Sequence, residues 1–136
     1  MNGTVALEQS LKALEISTGD EVIVTPRSFI ASVSSVVAVE ATPIFADVNP
    51  NSGNIHFETI APLITSRTKA ILCVHLAGWP CEMNEILDLA QSHKLSVIED
   101  CAQAHGALYR DKSVGSWGAV GAGSFCQDKI MTTGGK

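Results

Sequence analysis

The chain of 136 residues has little charge and no strongly basic stretch. Charged residues make up 17% of it, against about a quarter of an average soluble domain, while 46% of its residues are hydrophobic. Its net charge is −5, and its nine lysines and arginines are scattered, so we expect no nucleic-acid partner. The apolar excess indicates either one domain with a well-buried core or a piece of a domain that packs against a partner surface.

Long apolar runs and processing signals are also missing. No run reaches the roughly 18 residues that a membrane span requires. The first residues, Met1 to Thr4, lack the basic and apolar regions of a signal peptide. These absences predict a cytoplasmic protein that does not engage a membrane.

None of the four cysteines belongs to a C-x-x-C pair. They are Cys73, Cys81, Cys101 and Cys126. Three of them fall in or beside apolar runs, which predicts reduced thiols in a core. A metal site built from these cysteines with His75 and His105 would have spacings that fit no compact zinc pattern, so we predict no metal.

Two phosphate-binding motifs are absent as well. The chain has neither a G-x-G-x-x-G after a strand nor a G-x-x-x-x-G-K-[ST], so dinucleotide and P-loop binding lose their main support. There is also no internal repeat. What the sequence does show is a regular alternation of predicted strands and helices.

Apolar patterning predicts five strands, at 21–25, 43–48, 69–76, 96–100 and 119–125. The predicted helices start at a Thr4 cap, at Phe29 and at Phe57, and a clearly amphipathic one contains Met83 and Ala90. The segment 29–40 is apolar on most sides, which predicts a buried helix. Strands that are apolar throughout indicate an α/β fold, a largely parallel sheet covered by helices on both faces.

An acid and an amine follow two of these strands. Asp100 ends the run 96–100, and Lys129 comes just after the strand 119–125. Parallel sheets bind ligands beyond the carboxyl ends of their strands. Pyridoxal phosphate needs an amine for its aldehyde and a carboxylate for its ring nitrogen, and this pair supplies both. Each residue taken singly also has an ordinary explanation: Asp100 as the cap of the turn that follows it, and Lys129 as a solvated lysine in a loop.

The start of the first helix is a candidate anion site. Gly3 and Thr4 lie where unpaired amides and the helix dipole favour a phosphate, although a plain Thr N-cap explains the same residues. Gln103 and His105 lie close enough to Asp100 in sequence to touch a ligand there. A histidine between alanine and glycine is as often a packed side chain.

Seven short blocks follow one another along nearly the whole chain. They are Asn-Gly-Thr-x-Ala-Leu (2–7), Gly-Asp-Glu-Val-Ile-Val (19–24), Thr-Pro-x-x-Phe (25–29), Thr-Pro-x-Phe-x-Asp-Val (42–48), Val-His-Leu-x-Gly (74–78), Val-Ile-Glu-Asp-Cys-Ala-Gln-Ala-His-Gly-Ala (97–107) and Gly-Ser-Phe-x-x-x-Lys (123–129). In this order they resemble the DegT-type sugar-nucleotide aminotransferases. The combination is far more specific than any single block.

The resemblance implies an enzyme that depends on pyridoxal 5′-phosphate and has the fold-type I, aspartate aminotransferase-like large domain, a three-layer αβα sandwich. Lys129 would form the Schiff base with the cofactor and shuttle the substrate proton, and Asp100 would hold the ring-nitrogen proton. A related dehydratase branch has histidine at the lysine position, so Lys129 favours transamination. The implied partners are a keto sugar nucleotide and an amino-acid donor, glutamate, in polysaccharide or glycoconjugate biosynthesis.

The same resemblance implies the cofactor-binding residues. Phe29 would stack on the cofactor ring, and Gln103 would contact the side of its phenolic oxygen. Gly3, Thr4 and Ser124 would bind the phosphate. Ser124 precedes Lys129 by five residues, as the family motif requires.

Family members are longer than this chain, which implies that residues 1–136 are a partial large domain without its N-terminal segment and small C-terminal domain. We then expect a homodimer for the full-length protein and little turnover from the 136 residues alone. Lys136 stands where the family has an acidic residue. Two alternatives stay open: a catalytically incomplete or regulatory relative, and a flavodoxin-like binding module that also places phosphate on a helix N-terminus.

Overall fold

Strands and helices alternate as predicted from residue 3 to residue 100, and the described residues beyond form strands and loops. The computed structural model describes residues 2–133, so the mismatch at Lys136 lies outside the described residues. The helices are α1 (Gly3–Ala13), α2 (Ala31–Ala38), α3 (Phe57–Ile60) and α4 (Met83–His93). The strands are β1 (Glu21–Val24), β2 (Thr42–Phe45), β3 (Thr68–Val74), β4 (Ser96–Asp100), β5 (Leu108–Tyr109), β6 (Lys112–Ser113) and β7 (Val120–Ala122), and 3₁₀ turns follow α3 (Ala61–Leu63) and β3 (Leu76–Gly78).

Five strands form one parallel sheet in the order β2-β1-β3-β4-β7. Helices α1 and α2 bury Leu7 and Val36 in a core on one face, and α3 and α4 bury Ile60 and Ile86 in a core on the other. The three-layer αβα sandwich is therefore confirmed. This strand order is also that of flavodoxin, so the order alone does not separate the two folds.

Strand β4 contributes side chains to the cores on both faces of the sheet, because successive side chains of a strand point to opposite sides. Ile98 joins the core under α1 and α2, whereas Val97 joins the core under α4. By the same alternation Asp100 lies on the α2 side of the sheet and Glu99 on the opposite side. Two neighbouring acids thus enter different environments.

Helix α2 differs from its prediction in length and in burial. It covers Ala31–Ala38 rather than 29–40. Its buried face includes Ser32 and Ser35, while the side chain of Val37 is 58% exposed. The prediction of a buried helix is wrong in part, because small polar residues face the sheet and a valine faces outward.

The short hairpin β5–β6 was not predicted. Its two-residue turn, Arg110 and Asp111, has φ values of 47° and 62°, and Tyr109 pairs with Lys112 across it. Hairpin turns with positive φ at both positions usually carry Asn-Gly or Asp-Gly, and Arg-Asp lacks that signal.

The helices of residues 2–133 are all too short or too polar to cross a bilayer. All four cysteines are free thiols. Cys73 and Cys81 are buried as core thiols, but Cys101 and Cys126 are half-buried. The core prediction for the last two is therefore wrong in part, since both lie in loops just beyond strand ends.

Candidate active site

A cleft of about 270 Å³ opens at the carboxyl edge of the sheet. Its lining includes every residue predicted for the site: Gly3, Thr4, Phe29, Asp100, Gln103, Ser124 and Lys129. These residues come from the start of α1, from the last position of β4 and from the segments that follow β1, β4 and β7. The fold therefore brings together residues that the sequence spreads over nearly its whole length.

One end of the cleft is the first turn of α1. Asn2 caps this helix, because its Oδ1 accepts the Val5 N–H at 3.1 Å, and the predicted Thr4 cap is wrong. The first helical bond runs from the Ala6 N–H to the Asn2 carbonyl at 3.0 Å. The amides of Gly3 and Thr4 precede it, so no helix carbonyl is available to them, and a first turn of this kind suits an anion.

Gly3 and Ser124 meet at close range. A Cβ atom at Gly3 would lie 3.0 Å from Ser124 Cβ and 3.4 Å from Ser124 Oγ. The loop after β7 closes against α1 only because position 3 has no side chain. Together with Thr4, which also lines the cleft, this contact gathers two hydroxyl groups and first-turn amides, the donors that a phosphate accepts.

Lys129 is held by a loop that folds back on itself. Its N–H donates to the Cys126 carbonyl at 3.0 Å, and the Phe125 carbonyl accepts from the Thr133 N–H at 3.3 Å and the Thr132 hydroxyl at 3.2 Å. Lys129 is half-buried and lines the cleft. The cleft therefore contains a primary amine, Lys129 Nζ. Among residues 2–133, no carboxylate lies within ion-pair distance of it.

The Asp100 carboxylate is fixed by two donors. Its Oδ1 accepts the Ala102 N–H at 3.1 Å, which is the turn cap that the sequence left open. Its Oδ2 accepts the Ser32 hydroxyl at 2.8 Å. Each oxygen keeps acceptor capacity, so capping the turn does not prevent Asp100 from binding a donor in the cleft that it lines.

Gln103 and Phe29 offer different groups to the cleft. Gln103 Oε1 accepts the Ala77 N–H at 3.0 Å, so the Nε2 amide remains to donate to a ligand. The Phe29 side chain is 63% exposed although it lines the cleft, which leaves its ring available for stacking.

His105 does not line the cleft. Its ring packs edge-on against Phe125, with 5.0 Å between ring centroids and 61° between planes. Both ring nitrogens are buried without a hydrogen-bond partner among the described residues. The expectation that His105 touches a ligand in this cleft is therefore not supported, and the packed position is the observed one.

Sequence reasoning missed Ser28 and Ser32, which lie beside Asp100 and Phe29. Ser28 lines the cleft, and its hydroxyl lies 2.7 Å from that of Ser32. The sequence signal was weak, because Ser28 precedes both α2 and the predicted helix 29–40, so helical spacing does not relate it to Ser32. Serine is also too common in such positions to identify a site.

A second polar cluster lies on the other side of β4. His75, Glu99 and Cys101 place one ligand-type atom each within 4.8 Å of one another. Glu99 has no free electron pair for a metal, because its carboxylate already accepts four hydrogen bonds: from His75 Nε2 (3.0 Å) and from the N–H groups of Gly115, Trp117 and Gly118 (2.7 Å each). Its contacts are those of a structural clamp that fixes the loop before β7.

The protonation of this cluster follows from its donors. Burial alone would raise the pKa of Glu99, but the hydrogen bond from His75 and those from the loop amides lower it below its ordinary value. Burial would lower the pKa of His75, but the thiols of Cys101 and Cys81 and the Glu99 carboxylate outweigh it and raise this pKa above its ordinary 6.5. The Cys81 backbone N–H nevertheless donates to His75 Nδ1 at 3.1 Å, which requires that nitrogen to be unprotonated, so on this geometry we assign a neutral imidazole with its proton on Nε2.

Replacing Glu99 with glutamine is expected to lower the free energy of unfolding at pH 7 by about 2 kcal/mol or more, because an amide nitrogen would face buried N–H donors. The folded-state pKa of Glu99 lies below its ordinary 4.5, so its stabilisation is present above about pH 4.5 and is lost as pH falls through the folded value. The deficit of Glu99→Gln should therefore shrink in acid. Urea unfolding at pH 7 and pH 3.5 measures it, with exposed Glu58→Gln as control. An equal deficit at both pH values would contradict the clamp.

Comparison with known proteins gives the site its context. The profile of the DegT/DnrJ/EryC1/StrS aminotransferase family matches residues 1–135. GDP-perosamine synthase of Escherichia coli O157:H7 is 50% identical over 133 residues, which cover 98% of this chain and 36% of the relative.

Two solved structures share the fold closely. An aminotransferase from Psychrobacter cryohalolentis superposes with a TM-score of 0.97 at 66% identity, over 98% of this chain and 34% of that one. NtdA from Bacillus subtilis, solved with bound cofactor PMP, superposes with a TM-score of 0.90 at 37% identity, over 96% of this chain and 29% of that one. The chain spans about a third of the length of these proteins. With the family profile matching almost its whole length, the chain belongs to the DegT/DnrJ/EryC1/StrS aminotransferase family.

Proposed function

We propose that the protein containing this chain is an aminotransferase that uses pyridoxal 5′-phosphate to move an amino group from glutamate to a keto sugar nucleotide. The observation that carries the proposal is the composition of one cleft, which joins a primary amine, a fixed carboxylate, an exposed aromatic ring and a helix N-terminus. GDP-perosamine synthase among its relatives supports the sugar-nucleotide class, and with it a role in polysaccharide or glycoconjugate biosynthesis.

Each side chain has a role that fits the cofactor. The first-turn amides at Gly3 and Thr4, with the Ser124 hydroxyl, would bind the phosphate. Phe29 would stack on the ring face, and Gln103 Nε2 would donate to the phenolic oxygen. The close contact of Gly3 with Ser124 supports this phosphate site, because it holds two parts of the donor set together.

The chemistry then divides between Asp100 and Lys129. When bound, the cofactor supplies a reactive carbonyl carbon and an electron-accepting ring. Asp100 would hold the proton on the ring nitrogen, which lets the ring accept the charge left when the substrate Cα is deprotonated. Lys129 Nζ would attach the cofactor and would act as the base at the substrate Cα.

The flavodoxin-like alternative fits the geometry less well. In flavodoxin-like folds the ligand sits at the switch point between β1 and β3. Here the candidate anion site lies on α1, which precedes β1 in the chain, and it contacts Ser124 beyond β7. Among the described residues, none from the segment that joins β3 to α4 lines the cleft.

We propose further that residues 1–136 form part of a large domain and that the full-length protein is a cytoplasmic homodimer. Exposed apolar side chains next to cleft residues support an additional covering surface: Ile30 follows Phe29, and Ile130 and Met131 follow Lys129. Light scattering of the full-length protein tests the dimer, and a monomer at working concentration would contradict it.

An amino-transfer assay tests the proposed function. The full-length protein, loaded with pyridoxal phosphate, is mixed with glutamate and a panel of UDP- and GDP-linked keto sugars. We expect 2-oxoglutarate and an aminated sugar nucleotide in equal amounts, detected by mass spectrometry. A folded, loaded protein that aminates none of the panel would instead favour the catalytically incomplete or regulatory relative.

A further inference from the structure

Ser32 is buried against the carboxylate of the cleft. Its side chain belongs to α2 and is 0% exposed, and its hydroxyl lies 2.8 Å from Asp100 Oδ2, on a residue 68 positions later. Asp100 itself is 6% exposed. A hydrogen bond between buried groups of this kind is strong, because one partner is charged and water does not compete.

The direction of the hydrogen bonds follows from counting protons. A serine hydroxyl has one proton to donate, and an ionised carboxylate only accepts. The Ser32 hydroxyl is therefore the hydrogen-bond donor to Asp100 Oδ2. The hydroxyl of Ser28, 2.7 Å from that of Ser32, must then be the donor of that second bond.

The result is a directed chain from Ser28 to Ser32 to Asp100. Its outer end reaches the cleft, because Ser28 lines it beside Phe29. Its inner end meets a carboxylate whose other oxygen accepts the Ala102 N–H. One donor on each oxygen fixes the rotation of the carboxylate plane about its Cβ–Cγ bond.

We propose that Ser32 is a positioning residue for the reaction, supported by Ser28. Ser32 fixes the orientation of the Asp100 carboxylate. In this orientation the remaining lone pairs of the carboxylate can accept a hydrogen bond from a protonated ring nitrogen in the cleft. This inference rests on the proposed function. Ser32 and Ser28 would then help Asp100 to keep the cofactor ring able to accept electrons.

The competing explanation is ordinary packing, in which Ser32 serves only to attach α2 to β4. Ser35 provides the matched control. It is the same residue type in the same helix, it is also 0% exposed, and its hydroxyl donates to the Ser32 carbonyl at 3.3 Å rather than to a carboxylate. Removing the Ser35 hydroxyl should affect stability without affecting Asp100.

The experiment compares Ser32→Ala, Ser32→Thr and Ser35→Ala in the full-length protein. Three quantities are measured: the dissociation constant of pyridoxal phosphate, the free energy of unfolding of the cofactor-free protein, and kcat and KM for the amino donor. For Ser32→Ala we expect kcat to fall about tenfold or more, with KM of the donor changed less than about twofold and cofactor affinity reduced about fivefold. Ser32→Thr, which keeps a hydroxyl, should restore most of kcat, and Ser35→Ala should leave kcat and cofactor affinity near wild type.

The outcomes separate this inference from the proposed function. If the wild-type protein forms no covalent adduct at Lys129 after borohydride reduction, the proposed function and the inference fail together. If the wild type forms the adduct but Ser32→Ala keeps its kcat and cofactor affinity, the inference alone is overturned. Equal losses of kcat in Ser32→Ala and Ser35→Ala, in proportion to lost stability, would also overturn it.

Discussion

Replacing Lys129 with alanine is expected to lower turnover of the full-length enzyme by about 10⁴-fold or more. The variant would lose both the amine proposed to attach the cofactor and the base proposed to remove the substrate proton, and positioned proton transfer alone contributes up to about 10⁴-fold. Steady-state amino transfer from glutamate measures the loss. Cofactor should still bind through the phosphate site, but reversibly.

Two variants separate the amine from its charge. Lys129→Arg keeps the positive charge but cannot attach the cofactor, so it should be as inactive as Lys129→Ala. Lys12, exposed near the end of α1, gives the control Lys12→Ala with normal turnover. Turnover of Lys129→Arg within about tenfold of wild type would contradict the assignment, because only electrostatics would then be required.

Replacing Asp100 with asparagine is expected to give an enzyme that takes up cofactor but turns over about 10²- to 10³-fold more slowly. The amide is nearly isosteric: its oxygen can still accept from the Ala102 N–H, and its NH2 can donate to the Ser32 hydroxyl, which is able to accept. It cannot stabilise a protonated ring nitrogen as a carboxylate does, and losing one stabilising group at a site of developing charge costs about this much.

The measurement for Asp100→Asn is the comparison of kcat with the cofactor dissociation constant. Asp88→Asn, on the exposed side of α4, serves as control. We expect the dissociation constant of the variant to stay within about tenfold of wild type. Near-normal turnover would contradict the role of Asp100, and complete loss of cofactor would show a binding role instead of an electronic one.

Much of the fold follows from local patterns. Short apolar runs separated by helical periodicity predict a parallel sheet, and Asp100 and Lys129 beyond two strand ends predict a common cleft. Element ends were less predictable: the sequence favours Thr4 as the cap of α1, and the structure uses Asn2. Both residue types cap helices well, and only the backbone shows which one does.

The partners of the site residues were not predictable in the same way. Glu99 and Asp100 give the same signal in sequence, yet the strand alternation directs one to a structural clamp and the other to the cleft. Ser32 meets Asp100 only after α2 and β4 pack together, 68 residues apart. Such contacts depend on tertiary structure, and an ordinary serine gives no local sign of them.

Covalent trapping tests the central claim most directly. The full-length protein is incubated with pyridoxal phosphate, reduced with borohydride, digested and mapped by mass spectrometry, with Lys129→Ala in parallel. We predict that the peptide containing Lys129 carries the reduced cofactor in the wild type and that the variant carries no specific label. A folded wild-type protein labelled at another lysine, or at none, would contradict the account.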